Sequence, residues 1–159
     1  MTHAHPWDEI AFEVVSDILE NTAFTEVTPV ATEPNYGLDA RGVSLLVHDP
    51  VQGEFQLFME KALLHQLTAT VYGPVLGEVT EQLEEDFLAE LLNTIAGRFL
   101  GGILPPEKSF RLGLPEQVSG TFSCPAQPCL GWTFVVDGNM YFSLSINGES
   151  LVGSGEQGA

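Results

Sequence analysis

Basic side chains are scarce in this sequence. Five Lys and Arg stand against 22 Asp and Glu among 159 residues, a formal net charge of −17. The five cations, Arg41, Lys61, Arg98, Lys108 and Arg111, are scattered and form no basic patch. A chain with this balance has no attraction for a phosphate backbone or an anionic lipid surface, which excludes nucleic acid and membrane as partners. Long apolar runs are also lacking, and none approaches the ~20 residues that a bilayer-spanning helix needs. The first residues carry Asp8, Glu9 and Glu13 where a signal peptide would have a cationic start and an apolar run. Cysteine is limited to Cys124 and Cys129, with four residues between them in a Pro-containing segment. That usage reads as two reduced thiols in a loop of a cytoplasmic protein. No histidine lies in the segment, so a metal centre is not expected there.

What is present is an apolar fraction of 44% against only 17% charged residues, which supports a folded core despite the net charge. The length fits one domain spanning residues 1–159, with a Gly-rich flexible tail over about 148–159. Residues 6–22 read as a helix from Ile10, Val14 and Ile18 at helical spacing, with Pro6 suited to its first turn. Strand-like runs follow near 25–32, 41–48 and 54–60, separated by turn signals at 34–37, 49–50 and Gly53. A short helix fits 62–72, ended by Gly73-Pro74, and a long one fits 80–100 with Thr80 as N-cap. Further strands fit 109–114, 117–122, 131–136 and 140–146, and Asp137-Gly138 marks a hairpin between the last two.

The order of elements repeats, and so, faintly, does the sequence. Leu19-Glu20-Asn21-Thr22 of the first helix aligns with Leu91-Leu92-Asn93-Thr94 of the long one. Extended backwards, the alignment sets Ile18 against Glu90 and Val14 against Asp86, so the second copy is polar where the first is aliphatic. On a helical wheel with Asp86 at zero, Glu90 falls at about 40°, Asn93 at about 340° and Gly97 at about 20°. Leu88, Leu91, Leu92, Ile95 and Phe99 occupy the opposite side. Asp86, Glu90, Asn93 and Gly97 therefore form one exposed stripe. Glycine in a helix interior costs about 1 kcal/mol relative to alanine, so Gly97 and Gly101 point to a surface that another molecule approaches closely.

The segment Asp86-Phe-Leu-Ala-Glu90-Leu-Leu-Asn93 resembles the Asp/Ser-x3-Glu-x2-Asn helix signature of the CheC/CheX chemotaxis phosphatases. Pro115 stands at the matching distance, with 21 residues between it and Asn93. Gly53-Glu54-Phe55, Met59-Glu60-Lys61-Ala62, Asn93-Thr-Ile-Ala-Gly97 and Leu112-Gly-Leu-Pro115 also resemble that family, CheX above all. The resemblance implies an α+β fold of two pseudo-symmetric halves, each a helix plus three strands. These would form a mostly antiparallel sheet with helices packed on one face. It implies a cytoplasmic phosphatase acting on the aspartyl phosphate of a CheY-like response regulator. Asn93 would orient the attacking water, Glu90 would pair with the receiver lysine, and Asp86, Gly97 and Pro115 would belong to the docking surface. It further implies a homodimer and no cofactor of its own, with magnesium carried by the phosphorylated partner. Where the double-motif members of the family have a second acid pair, this chain has Val14 and Ile18, so only Asn21 remains and one active surface is expected. The alternative is a non-catalytic interaction module, because the implied fold is similar to the middle domain of flagellar switch proteins.

Other chemistry is less well supported. His3, His5, His48 and His65 have no nucleophile in a recognisable context. The run Glu81, Glu84, Glu85, Asp86 lacks the Gly and carbonyl loop of a calcium site and suits a helix start. Trp7 and Trp132 are expected in the core or a lid.

Overall fold

Apolar side chains recurring at helical and strand periods fold into three helices and seven strands in the computed structural model, which describes residues 7–30, 40–49, 52–104, 110–118 and 129–148. In chain order these are α1 (Asp8–Ala23), β1 (Thr28–Val30), β2 (Ala40–Asp49), β3 (Gly53–Glu60), α2 (Lys61–Leu76), α3 (Glu81–Ile103), β4 (Arg111–Leu112), β5 (Glu116–Val118), β6 (Cys129–Val136) and β7 (Met140–Asn147). The turn expected at 34–37, the strand ends beyond Val30 and Val118, Pro6, His3, His5, Lys108, Cys124 and the tail after Gly148 lie outside the described residues.

All strand pairs are antiparallel, in the order β1-β6-β7-β3-β2-β4, with β5 also paired to β2. Exchanging the two halves of the chain turns β1, β2 and β3 into β4/β5, β6 and β7, and the strand order then reads the same from the opposite edge. The two-fold lies along the β3–β7 seam, where Phe55 faces Ile146, Leu57 faces Leu144 and Met59 faces Phe142. Each half lends its first strand to the other: β1 pairs β6, and β5 pairs β2. The repeat expected from the sequence is thus present in the fold.

Strand alternation decides which face is covered. Val43, Leu45, Val47, Phe55, Leu57, Met59, Phe142, Leu144 and Ile146 share one face and are buried in a single core cluster with the apolar residues of all three helices. The helices therefore cover one side of the sheet. Phe99 of α3 sits at the centre, edge-on to Trp7 at 5.2 Å and to Phe55 at 5.7 Å, with Trp132 at 6.2 Å. Trp132 Nε1 donates to Asp8 Oδ1 at 2.8 Å, so both tryptophans belong to the core and its rim.

Several boundaries differ from expectation, each for a local reason. Helix α2 runs through Gly73-Pro74 to Leu76 and closes only at Gly77, whose N–H donates to Gly73 O at φ 79°. A proline in the final turn removes one helical hydrogen bond but does not forbid the turn. Helix α3 continues through Gly101 and Gly102 to Ile103. Helix α1 ends on Phe24 at φ 54°, a left-handed position where glycine is usual, with Phe24 N–H bonded to Glu20 O and Thr25 N–H to Leu19 O. The Asp137-Gly138 hairpin forms as expected, both residues at positive φ (56° and 76°). Cys129 is disulfide-bonded, which corrects the expectation of free thiols.

Thr80 begins α3 in an extended conformation and accepts the Leu83 N–H on its side chain at 3.1 Å. Thr80→Ala is expected to lower the unfolding free energy by about 1 kcal/mol, and Thr80→Ser to restore most of it, in urea denaturation followed by circular dichroism.

Candidate functional site

Helix α3 is held from below. Phe87, Leu88, Leu91, Leu92, Ile95, Ala96, Phe99 and Leu100 are all buried, facing the sheet and the other helices. Periodicity then fixes what is left outside. Asp86, Glu90 and Asn93 are exposed and Gly97 half-buried, on one stripe about 16 Å long at ~1.5 Å per residue. The spacing i, i+4, i+7, i+11 keeps them on one face, as the sequence pattern required.

The functional groups differ in how far they are committed. Asp86 Oδ1 accepts from Gln82 Nε2 at 2.9 Å, one turn earlier. The Glu90 carboxylate and the Asn93 carboxamide have no hydrogen-bond or ionic partner among the described residues; Glu90 contributes only its backbone carbonyl, to Thr94 Oγ1 at 2.9 Å. A Cβ added at Gly97 or Gly101 would meet nothing within 4 Å. Internal packing therefore does not require these glycines.

The first copy of the repeat is built differently. Asn21 on α1 donates its Nδ2 to both Asp17 O and Asp17 Oδ1, at 2.8 Å each. Asp17 Oδ2 in turn meets Arg98 Nη2 of α3 at 2.6 Å. The amide that aligns with Asn93 is thus tied into a link between α1 and α3, while Val14 and Ile18 are buried. Only the α3 copy leaves a carboxylate and a carboxamide free one turn apart.

Pro115 lies in the connection between β4 and β5, half-buried, with Leu114 beside it 87% exposed. The segment is fastened on both sides. Gly113 N–H donates to Leu46 O at 2.8 Å, and Gln117 Nε2 donates to the Glu85 carbonyl of α3 at 3.4 Å. This brings the Pro115 connection beside the second turn of α3, at the Asp86 end of the stripe. The protruding Leu114 was not singled out by sequence reasoning, although its place between Gly113 and Pro115 is a signal for an exposed turn.

The acidic helix start does not converge on one point. Glu81 pairs with Arg41 at 3.1 Å, Glu84 with His65 at 2.7 Å, and Asp86 with Gln82. Among the described residues there is no group of three or more His, Cys, Asp or Glu side chains able to hold a metal ion. His48 lines an open groove at the end of the sheet with Gln52, Glu54 and Asn147.

One feature of the site was invisible in the sequence. A cavity of about 120 Å³ opens between the three helices, lined by Ile18 and Thr22 of α1, Val71 and Tyr72 of α2, and Phe87, Glu90, Leu91 and Thr94 of α3. Tyr72 and Phe87 form part of its wall as an edge-to-face pair at 6.1 Å and 86°. No helix of the structure is long and apolar enough to cross a membrane, among the described residues.

No protein-family model matches the chain, and no curated protein matches it by sequence. Solved structures do match it. The chemotaxis protein CheX from Vibrio vulnificus superposes with a TM-score of 0.69 at 16% identity, over 92% of this chain and 99% of that one. CheX in the CheX–CheY–BeF3–Mg2+ complex from Borrelia burgdorferi gives 0.68 at 16% identity, over 91% and 98%. The FliM middle domain from H. pylori gives 0.59 at 12% identity, over 93% and 91%. With its three helices on one face of an open antiparallel sheet, this chain has the α+β fold of the CheX and CheC-like chemotaxis proteins.

Proposed function

We propose that this protein belongs to the CheC/CheX family and is a cytoplasmic phosphatase for the aspartyl phosphate of a CheY-like response regulator. The observation that carries the reading is the pair Glu90 and Asn93. They stand one turn apart on the exposed face of a rigidly seated helix, and both functional groups are free of internal partners. The same fold occurs in a CheX crystallised with CheY, BeF3 and Mg2+, and a fluoroberyllate is tetrahedral like a phosphoryl group.

The chemistry asked of such a site is modest. An aspartyl phosphate is an acyl phosphate with a good leaving group. Water attacks phosphorus, the bond from phosphorus to the carboxyl oxygen breaks, and aspartate and inorganic phosphate result. The helper has to hold that water in line. A carboxamide suits the task because Asn93 both accepts from and donates to one water without placing a negative charge beside the phosphoryl group. A carboxylate there would repel it. Glu90, displaced by one turn, pairs with the receiver lysine, and magnesium stays with the receiver. Asp86, Gly97 and the Pro115 connection form the surrounding docking face. The sheet edges at β1 and β4, of three and two residues, leave backbone groups through which a homodimer would form.

A second reading is a binding module without turnover, favoured by the likeness to the FliM middle domain. Phosphate release from a phosphorylated receiver, followed after the phosphodonor is removed, separates the two. Asn93→Ala is expected to lower the catalysed rate roughly 100-fold with receiver binding retained. Glu90→Ala is expected to weaken binding. If wild type and Asn93→Ala both leave the receiver's own decay unchanged while binding persists, the protein is the module.

Gly97 gives an independent check on docking. Because nothing lies within 4 Å of an added Cβ, Gly97→Ala is expected to raise the unfolding free energy by up to about 1 kcal/mol. Gly97→Leu is expected to fold equally well and to weaken receiver binding at least tenfold, measured by calorimetric titration.

A further inference from the structure

Helix α1 ends on a residue that the fold does not favour. Phe24 occupies the left-handed cap at φ 54°, where a β-carbon crowds the following carbonyl and glycine is the usual residue. Its ring returns nothing to the core, because it is 86% exposed and has no aromatic partner among the described residues. A side chain that breaks a local rule without a gain in packing points to a contact outside the chain.

The groove beside Phe24 indicates the chemistry of that contact. It holds about 430 Å³ and runs from the end of α1 across α2 to the β6–β7 hairpin, with Ala23, Phe24, Glu26, Gln66, Thr70 and Asp137 among its lining residues. No residue of α3 lines it, so it is separate from the Asp86–Gly97 stripe. Its charges are of one sign. Glu26 and Asp137 are exposed carboxylates with no ionic or hydrogen-bond partner among the described residues, and no lining residue is basic. Ala23 is the last residue of α1, which brings the negative pole of that helix to the groove, and no basic residue stands in its last turn.

We propose that this groove docks an arginine from a basic segment of a partner protein, with the guanidinium stacked on Phe24 and paired with Glu26 and Asp137. A guanidinium is the cation that uses every wall. Its flat face suits an exposed aromatic ring, and it is less strongly hydrated than an ammonium. Its five donors find acceptors in the two carboxylates and the Gln66 side-chain oxygen. A second copy of this chain fits poorly, because a symmetric contact would bring the same carboxylates together on two proteins of net charge −17. Nucleic acid and anionic lipid are repelled for the same reason.

The test titrates the ¹⁵N-labelled full chain with the capped peptide acetyl-Gly-Arg-Gly-Arg-Gly-amide, and with versions carrying lysine or citrulline at both arginine positions. Saturable shifts centred on the Phe24, Glu26, Thr70 and Asp137 amides are expected with arginine. Binding is expected to be about threefold weaker with lysine and absent with citrulline, which keeps the shape without the charge. Phe24→Gly is expected to weaken binding of the arginine peptide about tenfold while its melting temperature holds or rises, because glycine suits the cap. Glu26→Gln combined with Asp137→Asn is expected to abolish saturation with the fold retained, since asparagine also tolerates a left-handed conformation. This double variant decides the charge requirement independently of the cap. The proposal is overturned if a folded Phe24→Gly binds the arginine peptide like wild type, if citrulline binds equally well, or if shifts spread over the acidic surface without saturating. A fall in the melting temperature of Phe24→Gly would show that the ring serves the fold and would overturn it too. Dimerisation of wild type in sedimentation, lost in Phe24→Gly, would assign the face to a second copy instead. None of these readouts uses a phosphorylated receiver, so the outcome is independent of the phosphatase reading.

Discussion

Everything the site can do depends on the seating of α3. A helix 23 residues long with acids and glycines along one side would not hold its place by propensity alone. Its position is set by the opposite face, where Leu88, Leu92, Phe99 and Leu100 are fully buried. Phe99 is the keystone, held among Trp7 from the first helix, Phe55 from the central seam and Trp132 from the far half. Burying such side chains contributes about 1.5–3 kcal/mol each, several times more than an exposed pair on the stripe. The exposed edge is thereby a rigid ruler. Glu90 and Asn93 need no hydrogen bonds of their own to be held in register, so both remain available to a partner.

The pseudo-two-fold explains why that ruler exists in one copy only. The two halves exchange edge strands across the β3–β7 seam, and neither could complete its sheet alone. Once the halves are interdependent, the helices are free to diverge. α1 has become structural: Val14 and Ile18 are buried, and Asn21 is consumed by Asp17, which bridges to Arg98. That bridge is about half exposed at both ends and contributes at most about 1 kcal/mol to stability. Its effect is geometric. It ties the aligned asparagine of α1 to the helix that carries the other, one turn beyond Asn93.

Much of this was legible in the sequence because the signals were local. Thr80 as cap, Asp137-Gly138 as hairpin and the Asp86–Gly97 stripe each follow from residues within one or two turns of each other. The apolar face of α3 follows from its period. What failed was also local, but subject to competition. Gly73-Pro74 signals a stop, yet α2 continues to Leu76, and Phe24 occupies a left-handed cap with 86% of its surface exposed, where glycine would be expected. The cavity beside Glu90 had no signature at all, because its walls come from residues as far apart as Ile18 and Thr94. Only the packing of three helices creates it.

Charge then takes on a local meaning within the proposed function. A protein at −17 repels a phosphoryl group at long range, and its cations offer little relief. Arg41 is spent on Glu81 and Arg98 on Asp17. Under that reading the reacting group would be approached by Asn93, a neutral side chain flanked by the half-buried Gly97, so the closest contact would carry no like charge. The carboxylates stand one and two turns back, at Glu90 and Asp86, where they can meet a receiver's cations without facing its phosphate. With the Debye length near 10 Å at ordinary ionic strength, the distant acids are largely screened, whereas groups in direct contact are not. Under that reading recognition would follow the order of residues along the stripe: acid, acid, amide, glycine. Reversing the amide and the nearer acid would conserve the charge and the composition of the helix. It would also put a carboxylate against the phosphoryl oxygens, which is why the order matters more than the net charge.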